Sequence, residues 1–169
     1  MNVKCSEIRL FVINRKAWFL SLLGMSKKYL PMGRAKHEAI FSDTAEDNHK
    51  VVFDTKDRFE VEMVKKLIFS FGKPKQAEKK INPVYKLIGK ADGFINGLPF
   101  EVKFCEKENQ GDFLQAASYA LLYSTSKSYL FYPSRYFVVD PNEYVDRIAD
   151  VVDKILAVKE ALFYDTYMR

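Results

Sequence analysis

The chain has 169 residues, of which 48% are hydrophobic and 15% aromatic. This composition excludes a disordered chain, and the seven glycines and six prolines exclude collagen-like and low-complexity classes. The length predicts a single domain, residues 1–169, with a core that needs no disulfide or metal for its stability.

The net charge of +5 is unevenly distributed. Residues 1–90 carry 19 basic and 10 acidic side chains, whereas residues 91–169 carry 8 and 12. A basic first half indicates a polyanionic partner, such as nucleic acid or an anionic membrane surface. An ordinary solvated surface rich in lysine accounts equally well for the charge alone.

The two cysteines, Cys5 and Cys105, are isolated in the sequence. This excludes a disulfide framework, a four-thiolate zinc site and a cysteine-ligated iron–sulfur cluster, and favours reduced thiols in a cytoplasmic protein. Arg9, Arg15 and Lys16 interrupt the first apolar run, so no secretory signal is expected. No stretch of about 20 uncharged apolar residues occurs, so no membrane span is expected.

The N-terminal part, residues 1–72, is predicted to be helical. One amphipathic helix is expected over residues 6–23, with Gly24 as its stop. A break follows at residues 31–33, and a second helix is expected from Gly33 or Arg34 to Phe41. Residues 51–57 are ambiguous, and a third helix is expected over residues 61–71, ended by Gly72 and Pro74.

The remaining part, residues 73–169, is predicted to contain a sheet and its flanking helices. A strand over residues 79–95 leads into Asn96-Gly97, a strong signal for a type I′ turn, and the return strand runs from Leu98 to Phe104 or Cys105. A helix is expected over residues 112–123 and two strands over 128–132 and 136–139. A capping box at residues 140–143, with proline at the first helical position, predicts the start of a final helix. Its buried face would comprise Val145, Ile148, Ala149, Val152, Ile155 and Leu156. The order of elements predicts an α/β fold with a small central mixed sheet flanked by helices.

The tight turn predicts the register of the hairpin. If Ile95 pairs with Leu98, Asp92 lies opposite Glu101 and Lys90 opposite Lys103, and all four side chains share one face. Phe100, Val102 and Phe104 would then face the core. Two opposed carboxylates destabilise a sheet unless something compensates them, and Mg²⁺ is a suitable partner. With a nearby lysine, such a pair suits phosphodiester hydrolysis. The alternative is a solvated sheet face on which neighbouring charges balance.

The segment GKADGFINGLPFEVK, residues 89–103, resembles the catalytic core of the PD-(D/E)XK nuclease superfamily. Asp92 stands at the first metal-binding aspartate, Glu101 and Lys103 stand as the (D/E)xK, and Ala91 replaces the proline, as is common in the RecB-like branch. The segment GRAKHEAI, residues 33–40, is similar to that branch's helix with a histidine, here His37. The segment QAASY, residues 115–119, is similar to its Gln-x-x-x-Tyr motif, which puts Gln115 and Tyr119 on one helix face.

A looser resemblance links NRKAW, residues 14–18, to the CRISPR-associated RecB-like exonucleases. Their iron–sulfur cysteines have no counterpart in this sequence, so the resemblance implies a relative without the cluster.

The resemblance implies a restriction-endonuclease-like core and a Mg²⁺- or Mn²⁺-dependent deoxyribonuclease, exonuclease-like on linear or single-stranded DNA. His37, Asp92, Glu101 and the carbonyl of Val102 would bind the metal, with Glu38 a weaker candidate. Lys103 would assist the attacking water, with Gln115 and Tyr119 supporting the site. The DNA backbone would meet six lysines, namely Lys73, Lys75, Lys79, Lys80, Lys86 and Lys90.

Two other interpretations stay open at this point. The chain could be a nucleic-acid-binding or scaffolding subunit that keeps the nuclease fold without cleaving, or an acid-rich surface-binding module unrelated to nucleases. Tyr129, Tyr132, Tyr136 and Phe163 fit either the core, which is the expectation, or a surface for a homo-oligomer.

Overall fold

The computed structural model describes residues 1–25, 31–42 and 53–167, and these form a mixed α/β fold. Its helices are α1 (Cys5–Ile13), α2 (Arg15–Leu22), α3 (Pro31–Ala39), α4 (Thr55–Phe71), α5 (Gln110–Tyr123) and α6 (Val145–Tyr167). Its strands are β1 (Val3–Lys4), β2 (Lys75–Gln76), β3 (Lys80–Asn82), β4 (Leu87–Gly89), β5 (Gly93–Ile95), β6 (Leu98–Val102), β7 (Ser128–Tyr132) and β8 (Arg135–Val139). No helix in these ranges is both long enough and apolar enough to cross a bilayer.

The single helix predicted over residues 6–23 is in fact two helices. Asn14 ends α1 and begins α2, where its side-chain oxygen accepts a hydrogen bond from the Ala17 N–H at 2.9 Å. An asparagine satisfies the free N–H groups of a helix start, which explains the break inside a continuous apolar pattern. The predicted stop near Gly24 is confirmed.

Two helix starts differ from the prediction. Helix α3 begins at Pro31, two residues before the predicted start. Proline has no N–H, but the N–H groups in the first turn of a helix have no partner within the helix, so proline is tolerated there. Ile40 and Phe41 lie beyond the end of α3. Helix α4 begins at Thr55, six residues before the predicted start, since Asp54 caps it by accepting from the Asp57 N–H at 2.7 Å. Residues 51 and 52 of the ambiguous segment lie outside the described residues.

The central sheet has five strands in the order β2-β5-β6-β7-β8. Neighbouring strands are antiparallel except for β6 and β7, which are parallel, so the predicted mixed sheet is confirmed. The hairpin between β5 and β6 has the predicted register, with Ile95 opposite Leu98, and both Asn96 and Gly97 have positive φ. A type I′ turn requires that conformation at both positions.

The predicted pairing of Asp92 with Glu101 is not formed. The ladder ends at Gly93 opposite Phe100, and the Asp92 N–H donates to the Phe100 carbonyl at 3.1 Å. A side chain at Gly93 is not tolerated, because a Cβ there would lie 2.5 Å from the Phe100 ring and 2.8 Å from the Lys75 carbonyl oxygen. The predicted pairing of Lys90 with Lys103 is likewise outside the ladder, since the Lys103 N–H donates to Phe131 on β7.

The long strand predicted over residues 79–95 is three separate strands. Strands β3 and β4 form an antiparallel pair, and β1 adds to β4 in parallel, giving a second sheet in the order β1-β4-β3. Pro83 lies in the turn between β3 and β4, where Lys86 has positive φ. Proline cannot donate to a ladder, so the strand has to end near it.

The C-terminal elements largely follow the prediction. Strand β8 begins one residue early, at Arg135, and Asp140 caps a short 3₁₀ turn, Pro141–Glu143, before α6 begins at Val145. Pro141 therefore starts a turn and not the long helix. On α6, Ala149 is exposed and Val151 is buried, which corrects the predicted apolar face.

The two faces of the central sheet pack against different helices. Phe100, Val102 and Phe131 form a buried cluster with Val64 and Ile68 of α4. The opposite face contributes Leu130 and Tyr132 to the larger cluster, which contains α1, α5 and α6. Because side chains alternate along a strand, Glu101 and Lys103 point to the side of α5.

Candidate metal centre and nucleic-acid interface

Asp92 lies just before β5 and contacts two of the predicted site residues. Its Oδ2 accepts a hydrogen bond from the Val102 N–H at 2.7 Å, and its Oδ1 lies 3.0 Å from Nδ1 of His37 on α3. The ladder between β5 and β6 ends at Gly93. The Val102 N–H therefore has no main-chain partner on β5 and donates to the Asp92 side chain instead. Asp92, Val102 and His37 are thus in contact, and the metal-binding role that the resemblance implies for them stays a prediction.

Glu101 lies near the end of β6, and Lys103 directly follows that strand. Glu101 is only 4% exposed, and its Oε1 accepts a hydrogen bond from Lys103 Nζ at 2.5 Å. Lys103 Nζ also donates to Oε1 of Gln115 on α5 at 2.8 Å. The lysine is therefore held between a carboxylate and an amide oxygen.

Gln115 and Tyr119 extend this network along α5. Gln115 Nε2 donates to the Tyr119 hydroxyl at 3.3 Å, and both side chains are buried. The amide of Gln115 thus uses its oxygen for Lys103 and its nitrogen for Tyr119. Its orientation follows from these two partners, and the supporting role that the resemblance implies stays a prediction.

The electrostatics of the two carboxylates are opposite. Burial and the negative charge of Asp92 raise the pKa of Glu101 to about 7, although Lys103 and His37 oppose the shift. Burial alone would raise the pKa of Asp92, but the charges of His37 and Lys103 and the Val102 N–H lower it. Two close carboxylates whose pKa values are driven apart are typical of acid–base and metal sites.

The charges of Asp92, Glu101 and Lys103 also act on His37. Burial alone would lower the pKa of its imidazole, but Asp92 and Glu101 raise it above its usual value. Nδ1 is buried, and its contact with Asp92 lacks the alignment of a hydrogen bond. Once the imidazole is neutral, its nitrogen and the carboxylate oxygen lie close enough to serve as neighbouring ligands of one cation.

The donor set fits a divalent cation of the predicted kind. Asp92 and Glu101 supply carboxylate oxygens and His37 a nitrogen, which suit Mg²⁺ or Mn²⁺. The Val102 N–H points at Asp92, and a residue's N–H and C=O leave a strand on the same side, so its carbonyl also faces this edge. Within the described ranges no three His, Cys, Asp or Glu side chains already converge as ligands, because Glu101 is turned towards Lys103.

The structure separates the six predicted DNA-binding lysines into three groups. Lys73, Lys75, Lys79 and Lys80 line a cavity of about 680 Å³, here called the lysine groove. Lys90 lines a different cavity of about 430 Å³, the His37 cavity, together with His37 and Asp92. Lys86 lines neither cavity and has Nζ 3.8 Å from Oδ1 of Asp153 on α6.

The lysine groove and the His37 cavity share one wall residue, Gln76 of β2. Because β2 pairs with β5, this residue lies beside the strand that follows Asp92. The basic surface and the carboxylate site are therefore adjacent. Glu38 lines the His37 cavity too, where it accepts a hydrogen bond from Arg34 Nε at 2.9 Å.

Tyr123 is one of the residues of this region that the sequence motifs do not include. It ends α5 and lines the lysine groove. Gln115, Tyr119 and Tyr123 are spaced by four residues, so extending the motif by one helical turn would have found it.

Four aromatic residues were predicted to lie either in the core or on a surface for a homo-oligomer. Of these, Tyr132 is fully buried. Tyr129 is half-buried, whereas Tyr136 and Phe163 are 43% and 52% exposed.

The sequence matches no protein-family model, and no curated protein is significantly similar to it.

Proposed function

We propose that this chain is a Mg²⁺- or Mn²⁺-dependent DNA nuclease that hydrolyses phosphodiester bonds. The observation that carries the proposal is two neighbouring sets of side chains from four parts of the chain, which the hydrogen bond from the Val102 N–H to Asp92 brings together. His37 from α3 contacts Asp92 before β5, and Lys103 joins Glu101 of β6 to Gln115 of α5. The resemblance to PD-(D/E)XK nucleases predicts this same combination of residues.

In this proposal Asp92, Glu101, His37 and the Val102 carbonyl hold the metal. A bound divalent cation polarises the phosphate and lowers the pKa of a bound water. Once Glu101 turns to the metal, Lys103 keeps Gln115 as a partner and has a donor free for the attacking water or the developing phosphate charge. The hydrogen bond that Lys103 donates to Gln115 keeps the lysine at the site in both arrangements.

The lysine groove supplies the surface for the DNA backbone. Lysine contacts to phosphates give affinity without sequence readout, which suits an exonuclease-like enzyme on linear or single-stranded DNA. A cytoplasmic location accords with the two free cysteines, Cys5 and Cys105.

The test is a cleavage assay with Mg²⁺, Mn²⁺ or EDTA on linear, circular and single-stranded DNA. The double variant Glu101→Ala, Lys103→Ala removes one ligand and the lysine, so cleavage is expected to fall by at least about 100-fold. A matched control is Glu106→Ala, Lys107→Ala, the same residue types on the exposed loop after β6, and it should cleave like the wild type.

Equal cleavage by the wild type and the Glu101→Ala, Lys103→Ala variant would assign the activity to a contaminant and overturn the proposal. The second candidate is a nucleic-acid-binding or scaffolding subunit that does not cleave. The Glu101–Lys103 contact favours it, because that pairing satisfies both charges without a metal. DNA retardation by the wild type without metal-dependent cleavage would support this candidate.

A further inference from the structure

Tyr123 lies between the lysine groove and the carboxylate site. Its ring packs edge-to-face against Phe94 of β5 with centroids 4.8 Å apart, and Lys80 Nζ lies 5.7 Å from the ring centroid. Phe94 and Lys80 line the same groove. The ring is thus fixed from two sides in the wall of the surface proposed to bind DNA.

The hydroxyl of Tyr123 joins two separate main-chain segments. It accepts a hydrogen bond from the Ala91 N–H at 3.2 Å and donates one to the Glu78 carbonyl at 2.5 Å. A phenolic hydroxyl has one proton to donate and can accept at the same time, so both bonds can exist together.

Each of these segments carries proposed functional residues. Ala91 directly precedes Asp92, and Glu78 directly precedes Lys79 and Lys80. The pairing between β5 and β6 does not reach Ala91, since its last hydrogen bond is the one from the Asp92 N–H to Phe100. The Ala91 N–H is held by Tyr123 instead.

We propose that Tyr123 is a positioning residue of the nuclease, whose hydroxyl fixes the main chain at Asp92 to the lysine-bearing segment that receives the DNA backbone. This inference rests on the proposed function. It assigns to Tyr123 no contact with the reacting atoms. Its consequence is that removing one oxygen atom in the groove wall weakens the metal site, although the oxygen binds neither metal nor DNA.

The test compares Tyr123→Phe with Tyr85→Phe. The first variant keeps the ring and removes the hydroxyl, and the second makes the same change on an exposed tyrosine in the turn between β3 and β4. Three quantities are measured on each purified protein: amide hydrogen exchange at Ala91 by NMR, Mn²⁺ affinity by calorimetry, and kcat and KM on linear DNA.

For Tyr123→Phe we expect exchange at Ala91 to speed up by about tenfold, since one hydrogen bond is lost. Mn²⁺ affinity and kcat should each fall by about three- to tenfold, because Asp92 is held less firmly. KM should change by less than kcat, because the lysines themselves are unchanged although their segment loses one hydrogen bond. Tyr85→Phe should match the wild type in all three.

A second variant guards against a general loss of structure. Replacing Tyr123 by 4-aminophenylalanine keeps a donor for the Glu78 carbonyl and a weaker acceptor for the Ala91 N–H, so it should restore part of the Mn²⁺ affinity and kcat. A merely structural role of the ring would predict no such rescue.

Other outcomes would overturn the inference. The hydroxyl does not position Asp92 if the Tyr123→Phe variant keeps the Mn²⁺ affinity and kcat of the wild type. The same conclusion follows if only its KM changes. A wild-type protein that neither binds Mn²⁺ nor cleaves DNA would overturn the proposed function and this inference with it. An active wild type with an unaffected Tyr123→Phe variant would overturn this inference alone.

Discussion

Lys103 shows how much of the site depends on single contacts. Its ammonium group is mostly buried, with 13% of the side chain exposed, and it contacts both Glu101 and Gln115. A buried charge is stable only when it is paired and hydrogen-bonded. The Glu101 carboxylate compensates the charge of Lys103. The Gln115 amide oxygen holds the ammonium group in place when Glu101 turns away.

This arrangement predicts the effect of Gln115→Leu. Leucine fills a similar volume but gives Lys103 no oxygen, so cleavage should fall by about 10- to 100-fold, as for other groups that orient a catalytic residue. Gln110→Leu, at the exposed first position of the same helix, is the control. The measurement is kcat with thermal melting of both variants, and an active Gln115→Leu protein would contradict the supporting role.

The motifs predicted which residues lie close together, but they did not predict which contacts their side chains make. The sequence places Asp92 directly opposite Glu101, whereas the ladder ends one residue earlier and Asp92 contacts His37 and Val102. This difference depends on the close packing of Gly93 against the Phe100 ring and the Lys75 carbonyl. Such packing between separate strands is not visible in a local pattern.

At the scale of elements, α3 is attached to α4 by a buried lysine. Lys36, next to His37, has its Nζ paired with both Asp57 and Glu60 of α4, and it also lies 5.4 Å from the centroid of the Phe104 ring. Burial would lower the pKa of Lys36, but the two carboxylates raise it. Lys36 therefore helps to place the helix that carries His37.

The same pairing predicts an acid-dependent stability. The Lys36 contact lowers the pKa of Asp57 in the folded state, so its stabilising contribution is present above the unfolded pKa of about 3.9 and is lost as the pH falls through the lower folded value. Asp57→Asn should lower the melting temperature by a few degrees at pH 7. The difference from the wild type should shrink steadily as the pH is lowered below about 4.

The control for this measurement is Glu62→Gln, an exposed residue of the same helix. Its melting temperature should equal that of the wild type at pH 7 and below about pH 4. A constant gap between Asp57→Asn and the wild type across the pH range would mean that the ion pair with Lys36 is not its cause.

Element types were easier to predict than element ends. The apolar spacing predicted helices in the right places, but the capping residues Asn14 and Asp54 moved their boundaries. Pro83 was a signal within the sequence against a continuous strand over residues 79–95. The pairing of β1 with β4 could not be predicted, because two residues of strand carry no periodicity.

At the scale of the whole molecule, the basic excess of the first half is partly gathered into one groove. Lys73, Lys75, Lys79 and Lys80 line it, and the carboxylate site lies next to it across Gln76. Composition predicted a polyanionic partner only as one of two equal interpretations. The topology adds a location, since β2 and β3 bring lysines to the side of the molecule where Asp92 lies.

This distribution predicts the salt dependence of DNA binding. Lys79→Ala, Lys80→Ala should weaken binding for all sequences alike and reduce the slope of log K against log salt by about 2, one unit for each lost phosphate contact. Lys16→Ala, Lys107→Ala removes the same charge from exposed positions outside the groove and is the control. Equal slopes for the two double variants, measured by fluorescence anisotropy, would argue against the groove as the DNA surface.

The contact between α1 and α5 has a consequence for how the chain acquires its fold. Arg9 is paired with Asp112, 103 positions later, and α1 crosses α5 so closely that a Cβ at Gly111 would lie 2.8 Å from Ile13. Phe11 of α1 already packs against Trp18 of α2, but the contact of α1 with α5 can form only after α5 has been synthesised. Contacts this distant in sequence slow folding and leave early segments exposed to aggregation. We therefore expect the N-terminal helices to complete their packing only after α5 has formed.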